Sequence, residues 1–325
     1  MGTTMTNDRV LTDAALYQLL AWSSPGYPTG AFSYSHGLEW AVEAGSVTDL
    51  PTLLAYVTAV LARGGGWVDA VLFAHAWRLA SPATGAAPTT GAAPTTGAAP
   101  TTGTAPTTGT APTTAAAPTA TPGTSAPAVA ALPRTAADRA APPPAPSSAG
   151  RAPTDRAAPN IPSTAPWPDD ARTAALDELS QLAAAFRGSA ETALESRQQG
   201  GAFLDVTRKA WPHAALDAFS LRQAHAPVAH CVAVALACAA HNIALVPALH
   251  SYLHAVAANL VSAGARLIPL GQTQAQIAIA QLSPTITEIV ERALTTNLDD
   301  LGTAAPMVEI CSLRHETQYT RLFRS

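Results

Sequence analysis

Hydrophobic residues recur at helical spacing along the chain on both sides of residues 82–168. One apolar series follows Thr12, and another follows Asp49 with Pro51 in its first turn. Thr and Asp are favoured N-caps and Pro is favoured at a helix start, so each series predicts a helix. The same spacing returns after residue 169, where prolines separate helices of about 12–20 residues. These prolines are Pro212, Pro227, Pro247, Pro269 and Pro284.

The pattern therefore predicts an all-α fold, a single helical domain of about ten helices. The one alternation of apolar and polar residues that would suit a β-strand, at 308–313, is short. Residues 10–81 form the N-terminal part of the predicted domain. Residues 169–325 form its C-terminal part.

Residues 82–168 interrupt the pattern and are predicted to be a long, disordered insert rich in Ala, Pro and Thr. They hold 19 of the 28 prolines, and five tandem hexapeptides of the form GAAPTT or GTAPTT occupy residues 85–114. Such a composition buries too little apolar surface to offset the entropy of ordering the chain. Because the cost of closing a loop grows only logarithmically with its length, the insert should leave the helical domain undisturbed.

Composition excludes several classes of function. A net charge of −4 gives no electrostatic footprint for nucleic acid. The most apolar zone, residues 228–261, is broken by histidines, Asn242 and Pro247, which predicts buried helices and no membrane anchor. No basic segment followed by an apolar run opens the sequence, and the three cysteines lack metal-type pairing. We therefore expect a cytoplasmic protein.

Catalytic signatures are missing, so we predict that the protein is not an enzyme and has no cofactor. His315 and Glu316 begin like the HExxH motif of zinc proteases, but Tyr319 stands where the second histidine belongs. The three glycines at 64–66 are not followed by the Lys-Ser/Thr pair of a phosphate-binding loop.

His250 and His254 are the best candidates for a metal site. Four residues apart on a helix, they share one face and could bind a divalent ion such as nickel. Two imidazoles alone make a weak site, and polar positions on an Ala-rich helix explain the pair better. We therefore predict no metal site and keep these two residues as weak candidates.

Three segments are richer in aromatic, arginine or polar residues than a plain helical core requires. Residues 28–40 read PTGAFSYSHGLEW, residues 269–276 read PLGQTQAQ, and residues 315–325 read HETQYTRLFRS. Arginine and aromatic residues are enriched in buried docking patches. Core packing would explain the first segment equally well, a polar turn the second, and an amphipathic end folded onto the core the third.

Together these segments resemble the UreF family of urease accessory proteins, in the same order along the chain. Residues 189–200, SAETALESRQQG, resemble that family's central helix, although Ala190 stands where the family usually has arginine. The resemblance implies partner-binding roles for residues in three of the segments. They are Phe32, Tyr34, Glu39, Gln272, His315, Glu316, Tyr319, Arg321, Leu322, Phe323 and Arg324.

The resemblance also implies a function. Proteins of this family assist nickel insertion into apo-urease by bridging UreD (also called UreH) and the GTPase UreG, and they are helical homodimers. The expected partners are therefore UreD/UreH, UreG, the apo-urease subunits and a second copy of this chain. Two alternatives stay open: a strict GTPase-activating protein that supplies Arg321 or Arg324, and a helical nickel-binding protein that uses His250 and His254.

Two expectations about variants follow from this reading. Glu39→Ala and Tyr34→Ala should impair partner assembly more than folding. A terminal segment contributes few contacts to its own core, so loss of residues 320–325 should leave a folded protein.

Overall fold

A computed structural model describes residues 11–82 and 170–325. All of them belong to one compact unit, made of Met1–Ala86 and Pro162–Ser325. The predicted disordered insert, residues 82–168, lies outside the described residues except for residue 82. The second unit, Ala87–Ile161, lies wholly outside them.

The described residues form α-helices and two short 3-10 helices and contain no strand, which confirms the all-α prediction. The 3-10 helices are η1 (Ala31–Ser33) and η2 (Leu298–Asp300). The α-helices are α1 (Asp13–Trp22), α2 (Leu38–Glu43), α3 (Leu50–Arg63), α4 (Gly65–Ala80), α5 (Asp170–Ala185), α6 (Ala190–Ala210), α7 (Ala214–Arg222), α8 (His230–Ala240), α9 (Leu245–Leu267), α10 (Gln272–Ala293) and α11 (Pro306–His315).

Helix ends follow the capping chemistry read from the sequence. The Thr12 hydroxyl accepts the main-chain N–H of Ala15 at 3.2 Å and caps α1. Asp49 caps α3 in a reciprocal box with Thr52, and Pro51 lies in the first turn. Satisfying the free N–H groups of the first turn in this way stabilises a helix by about 1 kcal/mol.

One proline does not end a helix. Pro284 lies inside α10, which continues from Gln272 to Ala293, so the prediction of a break there is wrong. The residue is exposed, and the main-chain carbonyl that loses its N–H donor, that of Ala280, also belongs to an exposed residue. Water can replace the missing donor at such a position, which makes the proline tolerable.

The core is built around α8, in which every residue from Cys231 to Ala240 is buried. This helix packs against α4 and α6. Gly200 permits the approach of α6, because a Cβ there would lie 2.1 Å from the main-chain oxygen of Val228. Burial of each large aliphatic side chain in this core contributes about 1.5–3 kcal/mol.

The two ends of the undescribed internal segment lie near each other. Arg172, in the first turn of α5, donates a hydrogen bond to the main-chain oxygen of Arg78, near the end of α4. Arg78 in turn donates to the main-chain oxygen of Leu294 at 2.6 Å. A short linker could therefore join α4 to α5.

One stretch of the described residues, Leu50–Ala80, is long and apolar enough to cross a membrane by length and composition alone. It comprises α3 and α4, which meet at Gly64, and 67% of its most apolar part is buried inside the helical unit. A single buried stretch of this kind is weak evidence for a membrane span.

Candidate partner-docking site

Three of the four segments singled out from the sequence meet around α2, α6 and α11. His36 and Gly37 both have positive φ angles, 54° and 74°, and turn the chain into α2. A Cβ on Gly37 would lie 2.5 Å from the main-chain nitrogen of Ser312, so only glycine lets α2 begin this close to α11. This contact brings Glu39 next to the residues that follow α11, 316–325, which we call the tail.

Glu39 anchors the tail from α2. Its carboxylate accepts the main-chain N–H of Leu322 at 2.6 Å and that of Phe323 at 2.8 Å. The same carboxylate lies 3.0 Å from Nε2 of His315, and its side chain is only 9% exposed. Hydrogen bonds to a charged group are the strong ones in proteins, so Glu39 fixes the tail to the fold.

Glu191, in the first turn of α6, binds the same histidine from the other side. Its Oε2 lies 2.7 Å from Nδ1 of His315, which is completely buried, and its Oε1 accepts Nη1 of Arg321 at 2.8 Å. Ionised carboxylate oxygens only accept hydrogen bonds. Glu39 and Glu191 thus each place an acceptor oxygen at one ring nitrogen of His315.

Glu195, one turn further along α6, makes a second set of contacts. Its Oε1 lies 3.0 Å from Nε2 of His36 and accepts Nε2 of Gln199 at 2.7 Å. Its Oε2 accepts the hydroxyl of Ser325 at 3.1 Å. Burial alone would lower the pKa of His36, but the adjacent Glu195 carboxylate outweighs it and raises that pKa above its usual value.

The tail is two-sided. Phe323 is only 3% exposed, with the guanidinium of Arg266 4.4 Å from its ring centre, and Ser325 is fully buried. The main-chain oxygen of Ser325 accepts the N–H and the hydroxyl of Ser35, both at 2.5 Å. Leu322 and Arg324 alternate with these residues and are exposed. The expectation that the tail makes few contacts with its own core is therefore wrong.

Tyr34 also belongs to the interior. The side chain is 2% exposed, its hydroxyl donates to Oε1 of Gln198 at 2.5 Å, and burial raises its pKa. Asn259 donates to its main-chain oxygen at 3.2 Å. Because Tyr34 and Glu39 are buried, replacing either residue should cost stability, contrary to the expectation that assembly would suffer more than folding.

Exposed apolar side chains lie on the segments that carry this buried cluster. From the predicted set they include Phe32, Tyr319 and Leu322, and α11 adds three exposed residues at helical spacing. We call the following residues the outer surface: Phe32, Met307, Ile310, Leu313, Tyr319 and Leu322. Arg314 and Arg324 are exposed beside them in sequence. Exposed apolar clusters edged by charge are typical of protein–protein contacts.

The α11 residues were missed from the sequence. Residues 308–313 alternate like a strand because α11 is apolar on both sides: Cys311 faces the core, while Ile310 and Leu313 face solvent. The structure shows a helix there, in agreement with the all-α prediction. A helix that is apolar on its solvent side is the signal that could have identified these residues.

Two predicted site residues lie outside the core of the cluster. Glu316 accepts the main-chain N–H of Ala190 at 2.9 Å and so helps to cap α6. Gln272 is exposed at the first residue of α10 and takes part in none of the hydrogen bonds above.

The histidine pair of α9 does not form a metal centre with other side chains. His250 is half-buried, which lowers its pKa, and His254 is exposed. No group of three or more His, Cys, Asp or Glu residues that could hold a metal ion occurs in the described ranges.

A cavity of about 370 Å³ adjoins α6, and His36 and Glu195 line it together with Asp69 and Arg187. Nη2 of Arg187 lies 2.8 Å from Oδ1 of Asp69. Burial alone would lower the pKa of Arg187, but Asp69 raises it. Cys231 lies beside this pair, and burial raises the pKa of its thiol well above the usual value. This thiol is therefore a poor nucleophile.

Comparison with known proteins agrees with the resemblance read from the motifs. The sequence model of the UreF family matches residues 148–283. A urease accessory protein UreF of Rhodopseudomonas palustris (strain BisB5) is 37% identical over 312 residues, covering 96% of this chain and 92% of that protein. The UreF protein of Granulibacter bethesdensis is 38% identical over 313 residues, covering 96% and 95%. That of Bradyrhizobium diazoefficiens is 34% identical over 312 residues, covering 96% and 92%.

Proposed function

The chain belongs to the UreF family of urease accessory proteins, and on that premise we propose that it assists nickel insertion into apo-urease by bridging UreD (UreH) and the GTPase UreG. In this proposal the protein is not a catalyst. It presents a docking surface to its partners and helps to control GTP-dependent assembly of the metal centre. It acts in the cytoplasm, pairs with a second copy of itself, and needs no cofactor of its own.

The observation that carries the proposal is the two-sided tail. Its inner residues, Phe323 and Ser325, are held by Glu39 and Glu195, so the segment has a fixed position. Its outer residues leave large apolar side chains in water, with Leu322 65% exposed and Tyr319 fully exposed. A fixed backbone that presents tyrosine and arginine side chains carries the residue types enriched in interface hot spots, and it loses little entropy on binding.

The charges beside the outer surface suggest the chemistry of the partner's face. Glu309 and Glu316 are turned to the protein's own groups, Thr303 and the main chain of Ala190. Arg314 and Arg324 carry the exposed charge of this region, although the whole chain has a net charge of −4. An apolar partner face with an acidic edge would complement it.

The test is co-purification from cells that express this chain with UreD, UreG and the urease subunits. We expect Leu322→Ala and Tyr319→Ala to lower recovery of the complex and of active urease at least tenfold, because hot-spot truncations cost about 2 kcal/mol. Leu221→Ala is the matched control: Leu221 is 79% exposed on α7, outside the outer surface.

The proposal fails if the tail variants assemble with UreD and UreG and activate urease as well as the unaltered chain does. Thermal melting of each variant should stay at the unaltered value, because both side chains project into solvent. A large drop in melting temperature would mean that these residues support the fold and not a partner.

The two alternatives are less well supported. A strict GTPase-activating protein must deliver a free arginine to the nucleotide, and Arg321 is engaged by Glu191, which leaves only Arg324 as candidate. Arg324→Ala would then abolish stimulated GTP hydrolysis with binding intact, whereas docking predicts parallel loss of both. Nickel binding through His250 and His254 would rest on two ligands from one helix.

A further inference from the structure

The buried cluster pairs carboxylates with histidine rings, so the charge on His36 determines whether Glu195 is compensated. Glu39, Glu191 and Glu195 bring three carboxylates together, and Arg321 supplies one permanent positive charge. His36 and His315 are the remaining partners of these carboxylates. A charged His36 ring compensates the Glu195 carboxylate, whereas a neutral ring leaves that buried carboxylate without its ion-pair partner. Uncompensated charges are costly inside a protein.

His36 faces charged groups on several elements. Glu195 of α6 is its ion-pair partner, and Asp69 of α4 and Arg187 before α6 add charges of opposite sign behind it. From α3, the hydroxyl of Tyr56 donates to the main-chain oxygen of His36 at 2.8 Å. His315 faces Glu39 of α2 and Glu191 of α6. Since the charges of Asp69 and Arg187 cancel each other, the carboxylate of Glu195 is the group that favours the protonated form of His36.

The same groups hold the outer surface in place. Glu195 binds both His36 and the hydroxyl of Ser325. Ser325 is bonded to Ser35, and Arg324 donates its main-chain N–H to the oxygen of Ser33. Loss of the His36–Glu195 contact therefore weakens the attachment between residues 30–37 and the tail, which together carry Phe32 and Leu322.

We propose that docking at the outer surface is linked to protonation of His36, so that the partner binds more tightly at acidic pH and is released as the pH rises. The inference rests on the proposed function, because it concerns regulation of that same surface.

The direction follows from the environment of the ring. The Glu195 carboxylate raises the pKa of His36 in the folded protein above the ordinary value of 6.5. The stabilisation from this contact is therefore fully present below pH 6.5 and is lost as the pH rises through the folded-state pKa. A buried neutral ring would show the opposite trend, as burial gives His230 a pKa of about 4.

The experiment measures the affinity of the full chain for purified UreD between about pH 6 and 8.5 at constant ionic strength, the range in which histidines titrate. We expect affinity to fall with rising pH, with a limiting slope of about tenfold per pH unit for one linked proton. His36→Gln keeps an N–H donor for Glu195 but cannot titrate, so its profile should be flatter by that one proton. His75→Gln is the matched control. His75 lies on α4 and its ring bonds to the main-chain oxygen of Thr296, outside the buried cluster, so this variant should show the same dependence of affinity on pH as the unaltered chain.

A second readout does not need the partner. The urea midpoint of the unaltered chain should fall more steeply with pH than that of His36→Gln over the same range. The inference would be overturned if the unaltered chain and His36→Gln showed equal pH slopes in both binding and urea midpoint. The proposed function would still stand in that case, provided that UreD bound tightly at every pH. If UreD binds at no pH, the proposed function fails and this inference fails with it.

Discussion

Replacing Glu39 with alanine is the sharpest test of the buried cluster. The carboxylate accepts two main-chain N–H groups of the tail and faces the ring of His315, at 2.6, 2.8 and 3.0 Å. Alanine removes all three acceptor contacts at once. It leaves a fully buried imidazole with one carboxylate partner, and it leaves the N–H of the buried residue Phe323 without an acceptor.

The cost follows from those contacts. Hydrogen bonds to a charged group contribute about 1.5–3 kcal/mol each, and breaking a buried ion pair from one side costs about 3–5 kcal/mol. These figures overlap because the contacts share one carboxylate, so we expect Glu39→Ala to lower the free energy of unfolding by about 3–5 kcal/mol. Domains are stable by only about 5–15 kcal/mol, so this is a large part of the total.

Urea unfolding followed by circular dichroism measures the difference at constant pH. Glu43→Ala is the control from the same helix: Glu43 is exposed and bonds only to Gln318, so its loss should cost at most about 1 kcal/mol. A loss below about 1 kcal/mol for Glu39→Ala would refute the buried anchor and return Glu39 to a role in assembly alone.

Three further changes test other parts of the structure. Gly37→Ala should cost more than about 2 kcal/mol in urea unfolding, because of its positive φ and the 2.5 Å approach to α11, whereas Gly45→Ala, at φ 70° in open space, should cost about 1 kcal/mol. Removing residues 320–325 should lower the melting temperature, since it takes Phe323 out of the core; unchanged melting would contradict a docked tail. Deleting residues 84–165 should leave melting and urease activation unchanged, because α4 ends beside the start of α5; loss of cooperative unfolding would contradict this.

Local signals predicted most of the helices. The N-caps at Thr12 and Asp49 and the end of α3 at Gly64 each depend on residues within a few positions, so the chain itself displays them. The predicted helix break at Pro284 was wrong because the effect of a proline depends on whether water can reach the carbonyl that loses its N–H donor. That exposure is a property of the packed helix and not of the local sequence.

The candidate site could be predicted only in part. Its motifs were visible, but nothing in the local sequence distinguishes Glu191 and Glu195 from polar residues on a helix face that contacts solvent. Their burial depends on partners far away in the chain: His315 lies 124 positions from Glu191, and His36 lies 159 positions from Glu195. No local pattern reports contacts of that range, so a solvated face and a buried acidic cluster look alike in the sequence.

The same separations determine when these contacts can form during synthesis of the protein. Glu39 meets His315 across 276 positions, and Ser35 meets Ser325 across 290. At about 5–20 residues per second, a ribosome needs roughly 15–60 s to travel from one to the other. During that interval Glu39, Glu191 and Glu195 have no tail to bind, and α2 begins against a helix that does not yet exist. The docking surface can therefore form only once residues 315–325 have been made, so a nascent chain that lacks them cannot compete for partners with chains that carry them.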